Sequence, residues 1–346
     1  MLLTQHALSD PFIVDYIEDL RSDTGNELIT AEQVDLASLH SIRQFATKWI
    51  DNSPVRRLDM VILCANTLTP PGSKLQSTAE GIEVNWQINY LANFHLLSIL
   101  SPALKAQPAD RDVRILFGTC SSYMGGDMSH ITEPTSDSKP KQAAESSTQE
   151  DPAKFSPSSA YATSKLALTT FALAFQKHLS AHDRPDKTPM NSKVLLIDPG
   201  LCRTPGTRRW LTRGSLLGLL IYLLFYPLLW LVLKSPDMGA QNFLFAAMEE
   251  KFARGEGGWF VKEVKERGFL RREVQDEGVQ GGLWGYSERV VEEGEKRGRE
   301  VRTREKKVRE EKEEEEVAER EVREYREKVG KKEGAKKEGG RRSKKT

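Results

Sequence analysis

Cysteine is scarce: Cys64, Cys120 and Cys202 are the only three in 346 residues. They lie far apart, form no CxxC, and sit in no His/Cys cluster at zinc-ligand spacing, so neither a disulfide framework nor a metal site is expected. Such usage fits a reducing compartment. The opening MLLTQHALSDPF has no basic n-region and no long apolar h-region, so it gives no sign of a secretory signal. Net charge is nearly absent too, at +1, but that average hides segregation. Most of the charge falls after about residue 260 and most of the apolar residues before it, so the overall balance identifies no partner.

What is present is an alternation. Leu2-Leu3-Thr4 reads as the end of a buried strand, and Ser9 or Asp10 before Pro11 reads as a cap opening a helix over 11–21. Residues 31–36 then read as a short strand, 38–50 as an amphipathic helix and 58–66 as a fully apolar, buried strand. A long helix follows over 81–104, a strand over 113–120, a helix over 159–179 and a strand over 193–200 that ends in Pro-Gly. Such regular exchange of apolar strands and helices predicts an α/β fold with a doubly wound parallel sheet, helices on both faces.

Three segments depart from that pattern. Residues 129–158 are almost free of apolar side chains and are expected to form a flexible surface loop. Residues 216–233, LLGLLIYLLFYPLLWLVL, carry no charge, follow Arg208, Arg209 and Arg213 and precede Lys234. They just reach the length of a membrane span, roughly 18 residues or more. Pro227 and the amphipathic Tyr222, Tyr226 and Trp230 favour a shallow or re-entrant insertion as the rival, with a buried core helix as the third reading. Residues 291–346 form a highly charged tail with valines on an interrupted heptad. A solvated helix fraying into a disordered basic end is expected, rather than a coiled coil. Its last residues could meet anionic lipid or nucleic acid, but a solubilising role is preferred and no nucleic-acid partner is expected.

Tyr161-Ala-Thr-Ser-Lys165 opens a predicted helix, and a spacing of four puts phenol and ammonium on one face. A nearby cation favours the phenolate and so suits the tyrosine for proton transfer. A Tyr-x-x-x-Lys pair alone is weak, because most such pairs simply face solvent. In this setting the chain resembles the short-chain dehydrogenase/reductase family, in its retinol-dehydrogenase-like, membrane-associated branch, from about residue 30 to about 290. The resemblance implies a Rossmann-like fold and an NAD(P)-dependent enzyme. It makes Tyr161 the general acid/base and Lys165 both its activator and a ribose ligand. Asn89, in Trp86-Gln87-Ile88-Asn89-Tyr90, would complete a proton relay. Asp35 and Leu36 would contact adenine, Ala65 and Asn66 would lie against the cofactor, and Pro199-Gly200 with Thr204 would line the nicotinamide and phosphates.

Some positions depart from the family pattern. Asn66 replaces a glycine, and a left-handed turn there would suit asparagine. An ungapped reading of 114–122 places Cys120 where the family has its carbonyl-holding serine, and a one-residue shift places Ser121 there. Ser121 is preferred, with Ser122 and Thr119 in reserve, because a thiol is a weak donor. The family's T-G-x-x-x-G-x-G phosphate loop is not found, so the sheet is expected to lack its first, central strand, as in an N-terminally truncated member. NADP(H) is favoured over NAD(H), because Thr4-Gln5-His6 offers no acid for the ribose hydroxyls. The resemblance thus implies hydride transfer between nicotinamide and a carbonyl or alcohol on a hydrophobic, lipid-like small molecule, at a cytosol-facing membrane such as the endoplasmic reticulum or a lipid droplet. A non-catalytic, membrane-tethered interaction protein on a degenerate dinucleotide fold is the rival. Nothing in the sequence fixes the oligomeric state.

Overall fold

Short parallel strands separated by helices are what the alternation produces. A computed structural model describes residues 1–51, 56–132 and 155–342. It divides into two units, Met1–Glu295 and Lys296–Thr346. In the first unit β1 (Leu2–Thr4), α1 (Pro11–Thr24), β2 (Ala31–Gln33), α2 (Leu39–Ile50) and β3 (Met60–Leu63) come first. A short α3 (Val84–Trp86) then passes through a π turn at Gln87–Leu91 into α4 (Ala92–Lys105). Next come β4 (Val113–Gly118), the single turn α5 (Ser129–Thr132), α6 (Pro157–Ser180) and β5 (Ser192–Asp198). The short helices α7 (Pro205–Leu211), α8 (Leu216–Leu224) and α9 (Tyr226–Val232) precede α10 (Pro236–Met248), β6 (Trp259–Lys262), β7 (Lys265–Arg267) and α11 (Glu277–Arg342).

The strands form two sheets instead of one. β1 pairs in parallel with β2, and a second sheet runs β3-β4-β5-β6-β7, parallel except for the antiparallel β7. Among the described residues β1 and β3 share no ladder, so β3 is an edge strand of the larger sheet. That position corrects the expectation that residues 58–66 form a fully buried strand. β4 and β5 are buried almost throughout, whereas Met60 and Ile62 of the edge strand β3 are 37% and 50% exposed. One face of the larger sheet packs against α4, α6 and the start of α11 through Leu97, Phe117, Phe171, Val194, Leu283 and Tyr286. The other face packs against α10 through Leu116, Leu195, Ile197, Ala246 and Val261.

Residues 133–154 of the expected 129–158 loop lie outside the described residues. The expected transmembrane helix does not form. No helix among the described residues is long and apolar enough to cross a membrane, because the chain breaks at Phe225, just before Pro227, into α8 and α9. Neither helix buries a residue, which also removes the core-helix reading. Residues 291–295 belong with the first unit. The second is helical through Arg342, beyond the point where a disordered basic end was expected. Pairs such as Lys306–Glu310 lie along it, and Val308 and Val317 are exposed, so no apolar seam develops there.

Candidate active site

Four neighbouring strands end at one edge of the larger sheet. There β3 leads into Cys64-Ala65-Asn66, β4 into Thr119-Cys120, β5 ends on Asp198 before Pro199-Gly200, and β6 ends on Lys262. α6 passes this edge and carries Tyr161 and Lys165 one turn apart. The single helical turn at Ser121–Gly125 lies close against α6, and Gly126 makes that approach possible. A Cβ there would come within 2.6 Å of the Ala162 carbonyl oxygen.

The Tyr161 phenol oxygen lies 3.4 Å from Cys120 Sγ, which in turn lies 2.7 Å from Ser122 Oγ. Ser121 turns elsewhere. Its hydroxyl donates to Asp198 Oδ2 at 2.5 Å and accepts from Lys262 Nζ at 2.6 Å, while Lys262 pairs with Asp198 at 3.3 Å. Ser121 thus lies away from the Tyr161 phenol, and Cys120, the position that the ungapped reading gives, lies beside it. The cause is local: Cys120 is fully extended, so consecutive side chains leave the strand on opposite sides. Thr119 is also committed, its hydroxyl meeting Thr169 inside the core at 3.0 Å.

Lys165 is buried, and its ammonium lies 5.8 Å from the centre of the Tyr161 ring. An ammonium has three protons to donate, yet its one hydrogen-bond acceptor among the described residues is the Gly118 carbonyl at 3.1 Å. Burial pushes its pKa down, against the opposing pull of the Cys120 and Cys64 sulfurs. Tyr161 is displaced the other way. Burial, then charge on Cys120 and the hydrogen bond to it, raise the phenol's pKa, with the Asn66 amide opposing and Asp198 adding to the rise. The rise favours the protonated phenol.

Asn89 lies in the π turn, a distortion often found at functional sites. Its amide brackets the loop after β3, accepting from Thr67 N at 2.7 Å and donating to Thr67 O at 2.9 Å, and it reaches Ser164 Oγ at 3.1 Å. Its own carbonyl accepts from Asn93. Asn89 thus ties the β3 loop to α6 beside Lys165. Asp35 caps the turn before α2, accepting from Ala37 N at 2.9 Å, and Leu36 packs with the apolar side of α2 and α4. Ala65 and Asn66 are exposed at the same sheet edge, and Asn66 is not among the residues with positive φ, so the expected left-handed turn is absent. Gly200, by contrast, has φ +78° and donates to Asp198 Oδ1, and Thr204 caps α7. Asp198 and Lys262 were missed by sequence reasoning. The available signal was a charged residue closing an otherwise apolar strand in each of KVLLIDPG and WFVK.

A parallel sheet with a tyrosine and a lysine converging on its carboxyl edge defines an α/β oxidoreductase of the dinucleotide-binding type. No family model matches the chain. It is 43% identical over 267 residues to the Schizosaccharomyces pombe protein named uncharacterized oxidoreductase pbr1, covering 77% of this chain and 68% of that protein. It is 36% identical to the Saccharomyces cerevisiae uncharacterized oxidoreductase YNL181W, covering 83% and 72%. Human retinol dehydrogenase 13 is 29% identical, with 79% and 72% covered. A crystal structure of a Mycobacterium paratuberculosis protein aligns with a TM-score of 0.51 at 21% identity over 80% of each chain, a likeness of fold. The chain belongs to the short-chain dehydrogenase/reductase family and is an oxidoreductase with that family's Rossmann-like fold.

Proposed function

We propose that this oxidoreductase moves hydride between NADP(H) and a carbonyl or alcohol carbon of a hydrophobic substrate, at the edge where Tyr161, Lys165 and Cys120 meet. The observation that carries the reading is Lys165, a buried ammonium with a single acceptor among the described residues, 5.8 Å from the centre of the Tyr161 ring. Such a group is costly to leave partly unsatisfied, and ribose hydroxyls are acceptors of the right kind. The nicotinamide cofactor, when bound, supplies or accepts the hydride. Lys165, the exposed Ala65 and Asn66, Pro199-Gly200 and Thr204 would hold it, with Asp35 and Leu36 toward the adenine. Tyr161 gives its proton to the carbonyl oxygen, Cys120 backed by Ser122 holds that oxygen, and Asn89 keeps the loop after β3 in register with α6. Ser121 joins Asp198 and Lys262 in bracing the floor. A phenol kept protonated suits the reducing direction.

NADP(H) is favoured over NAD(H) because Thr4-Gln5-His6, at the end of β1, carries no carboxylate. A hydrophobic substrate is supported by the exposed apolar segment beside Gly200 and by the name of the retinol dehydrogenase relative. The exposed apolar segment supports work at a membrane surface. Titration of the purified protein with NADPH and NADH, followed by cofactor fluorescence, tests the reading. Tighter binding of NADPH is expected. Tyr161→Phe should keep cofactor affinity and lose about a hundredfold or more in turnover with a retinoid or long-chain aldehyde. Absence of binding to either nucleotide would leave the interaction-platform reading in its place.

A further inference from the structure

We infer that α8 and α9 form a one-leaflet anchor that inserts into an anionic membrane and holds the active-site edge at its surface. Delivery of substrate from that leaflet rests on the function proposed above; the docking itself does not.

The segment formed by α8 and α9 is apolar on every side and buries no residue of either helix among the described residues: Leu216 is 87% exposed, Leu224 75% and Leu231 77%. Together its side chains present on the order of 1,000 Å² of apolar surface, where a soluble monomer carries patches of a few hundred. A protein partner would cover one face, whereas hydrocarbon surrounds all of them. The dimensions also fit. At about 1.5 Å per residue the two helices are roughly 14 and 10 Å long, near half of a hydrocarbon core about 30 Å thick. The chain leaves and returns at one place. Arg203 N donates to Lys234 O at 2.9 Å and Lys234 N to Leu201 O at 3.0 Å, so the two ends of the excursion that contains α8 and α9 lie on the same side of the bilayer.

Charge at the base selects the lipid. No Asp or Glu occurs between Asp198 and Asp237, and that stretch holds Arg203, Arg208, Arg209, Arg213 and Lys234. Arg208, Arg209 and Arg213 are exposed, and Arg203 stacks on Trp230 at 5.1 Å, an aromatic–cation pairing suited to the headgroup level. The same closure meets the active-site edge, because Lys234 lies against Gly200, where an added Cβ would be 3.1 Å from Nζ. Insertion of α8 and α9 therefore sets the height of the Pro199-Gly200 wall above the lipid.

Flotation of the full chain with phosphatidylcholine vesicles, with and without phosphatidylserine, tests the inference. Binding should require the anionic lipid for full strength and fall about tenfold or more in Arg208→Glu/Arg209→Glu. Leu220→Arg/Leu224→Arg should abolish it while leaving NADPH binding unchanged, which separates failure of the anchor from failure of the redox site. Bromolipid quenching reads depth. A tryptophan placed by Phe225→Trp in a Trp230→Phe background should be quenched most by bromines near the acyl methyl end, and native Trp230 most by bromines near the ester. Flotation unaffected by Leu220→Arg/Leu224→Arg overturns the anchor. So does a dimer in light scattering that those substitutions dissociate and vesicles do not, because α8 and α9 would then be covered by a second copy.

Discussion

Replacing Cys120 by serine is expected to make the enzyme faster, and the size of the gain follows from what the sulfur touches. Cys120 Sγ is 3.4 Å from the Tyr161 phenol and is backed by Ser122 Oγ, so in the proposed reaction position 120 would face the oxygen that takes the phenol's proton. A thiol is a weak donor, and a neutral hydroxyl hydrogen bond is worth about 1 kcal/mol net, so Cys120→Ser should raise kcat/KM roughly fivefold and Cys120→Ala should lower it. The pH profile provides a second, independent reading. Reduction needs the phenol protonated, and its pKa is raised by burial first and by Cys120 next, so activity persists to a higher pH than an ordinary tyrosine would allow. Removing the sulfur takes away that second contribution, and the alkaline limb should move to lower pH in both variants. The assay is steady-state NADPH oxidation with a long-chain aldehyde across the alkaline range. If serine and alanine leave both the rate and the alkaline limb where they are, the thiol does not face the reacting carbonyl.

Lys165→Met should abolish turnover yet stabilise the protein at neutral pH by on the order of 1–3 kcal/mol, because a buried charge without a carboxylate partner is exchanged for an apolar chain. The folded pKa of Lys165 is lowered, so between it and the unfolded value the unfolded chain binds more protons and wild-type stability rises with pH; urea midpoints should therefore show the methionine advantage shrinking under alkaline conditions. His95 is buried with its pKa lowered by that burial, so stability should fall as pH drops below its ordinary 6.5, and His95→Gln should flatten this limb in pH-dependent urea melts. Phe171 meets the rings of Tyr90, Phe94, Phe117, Phe175 and Trp284, and Phe171→Ala should cost about 3–5 kcal/mol in a denaturant titration.

The most legible parts of the fold were those whose signal is local. The continuous apolar runs at 113–120 and 193–200 gave β4 and β5, and the Tyr161–Lys165 spacing put both groups on one face of α6. The charge-free run at 216–233 was plain as composition, but its length was misread because Phe225 and Pro227 end one helix and begin another. β6 and β7 escaped notice because WFVK and KER are too short to show a period. The choice between Cys120 and Ser121 depended on backbone direction at a single residue, which no pattern of residue types reports. The exposure of β3 depended on the neighbour it lacks.

The placement of polar groups along the strands explains why the chemistry collects at one edge. β4 and β5 are covered on both faces, so a polar side chain within them must find its partners inside the protein. Arg114 near the start of β4 does so, bonded to Asp112 and to the Ala246 carbonyl, and Lys193 near the start of β5 donates to Met190 O. At the carboxyl ends the constraint relaxes. Asp198 is satisfied by Ser121, Lys262 and the Gly200 amide, which come from three different segments and fix the strand ends relative to one another. Lys165 differs, since among the described residues one carbonyl meets only part of its donating capacity. Lys193 also has a single carbonyl acceptor, but it lies near the amino end of its strand, whereas Lys165 stands beside a phenol at the carboxyl edge, where a ligand can reach it. The partner Lys165 lacks is therefore expected from outside the chain, and a rise in Tm on adding NADPH that disappears in Lys165→Met is the measurement that decides it.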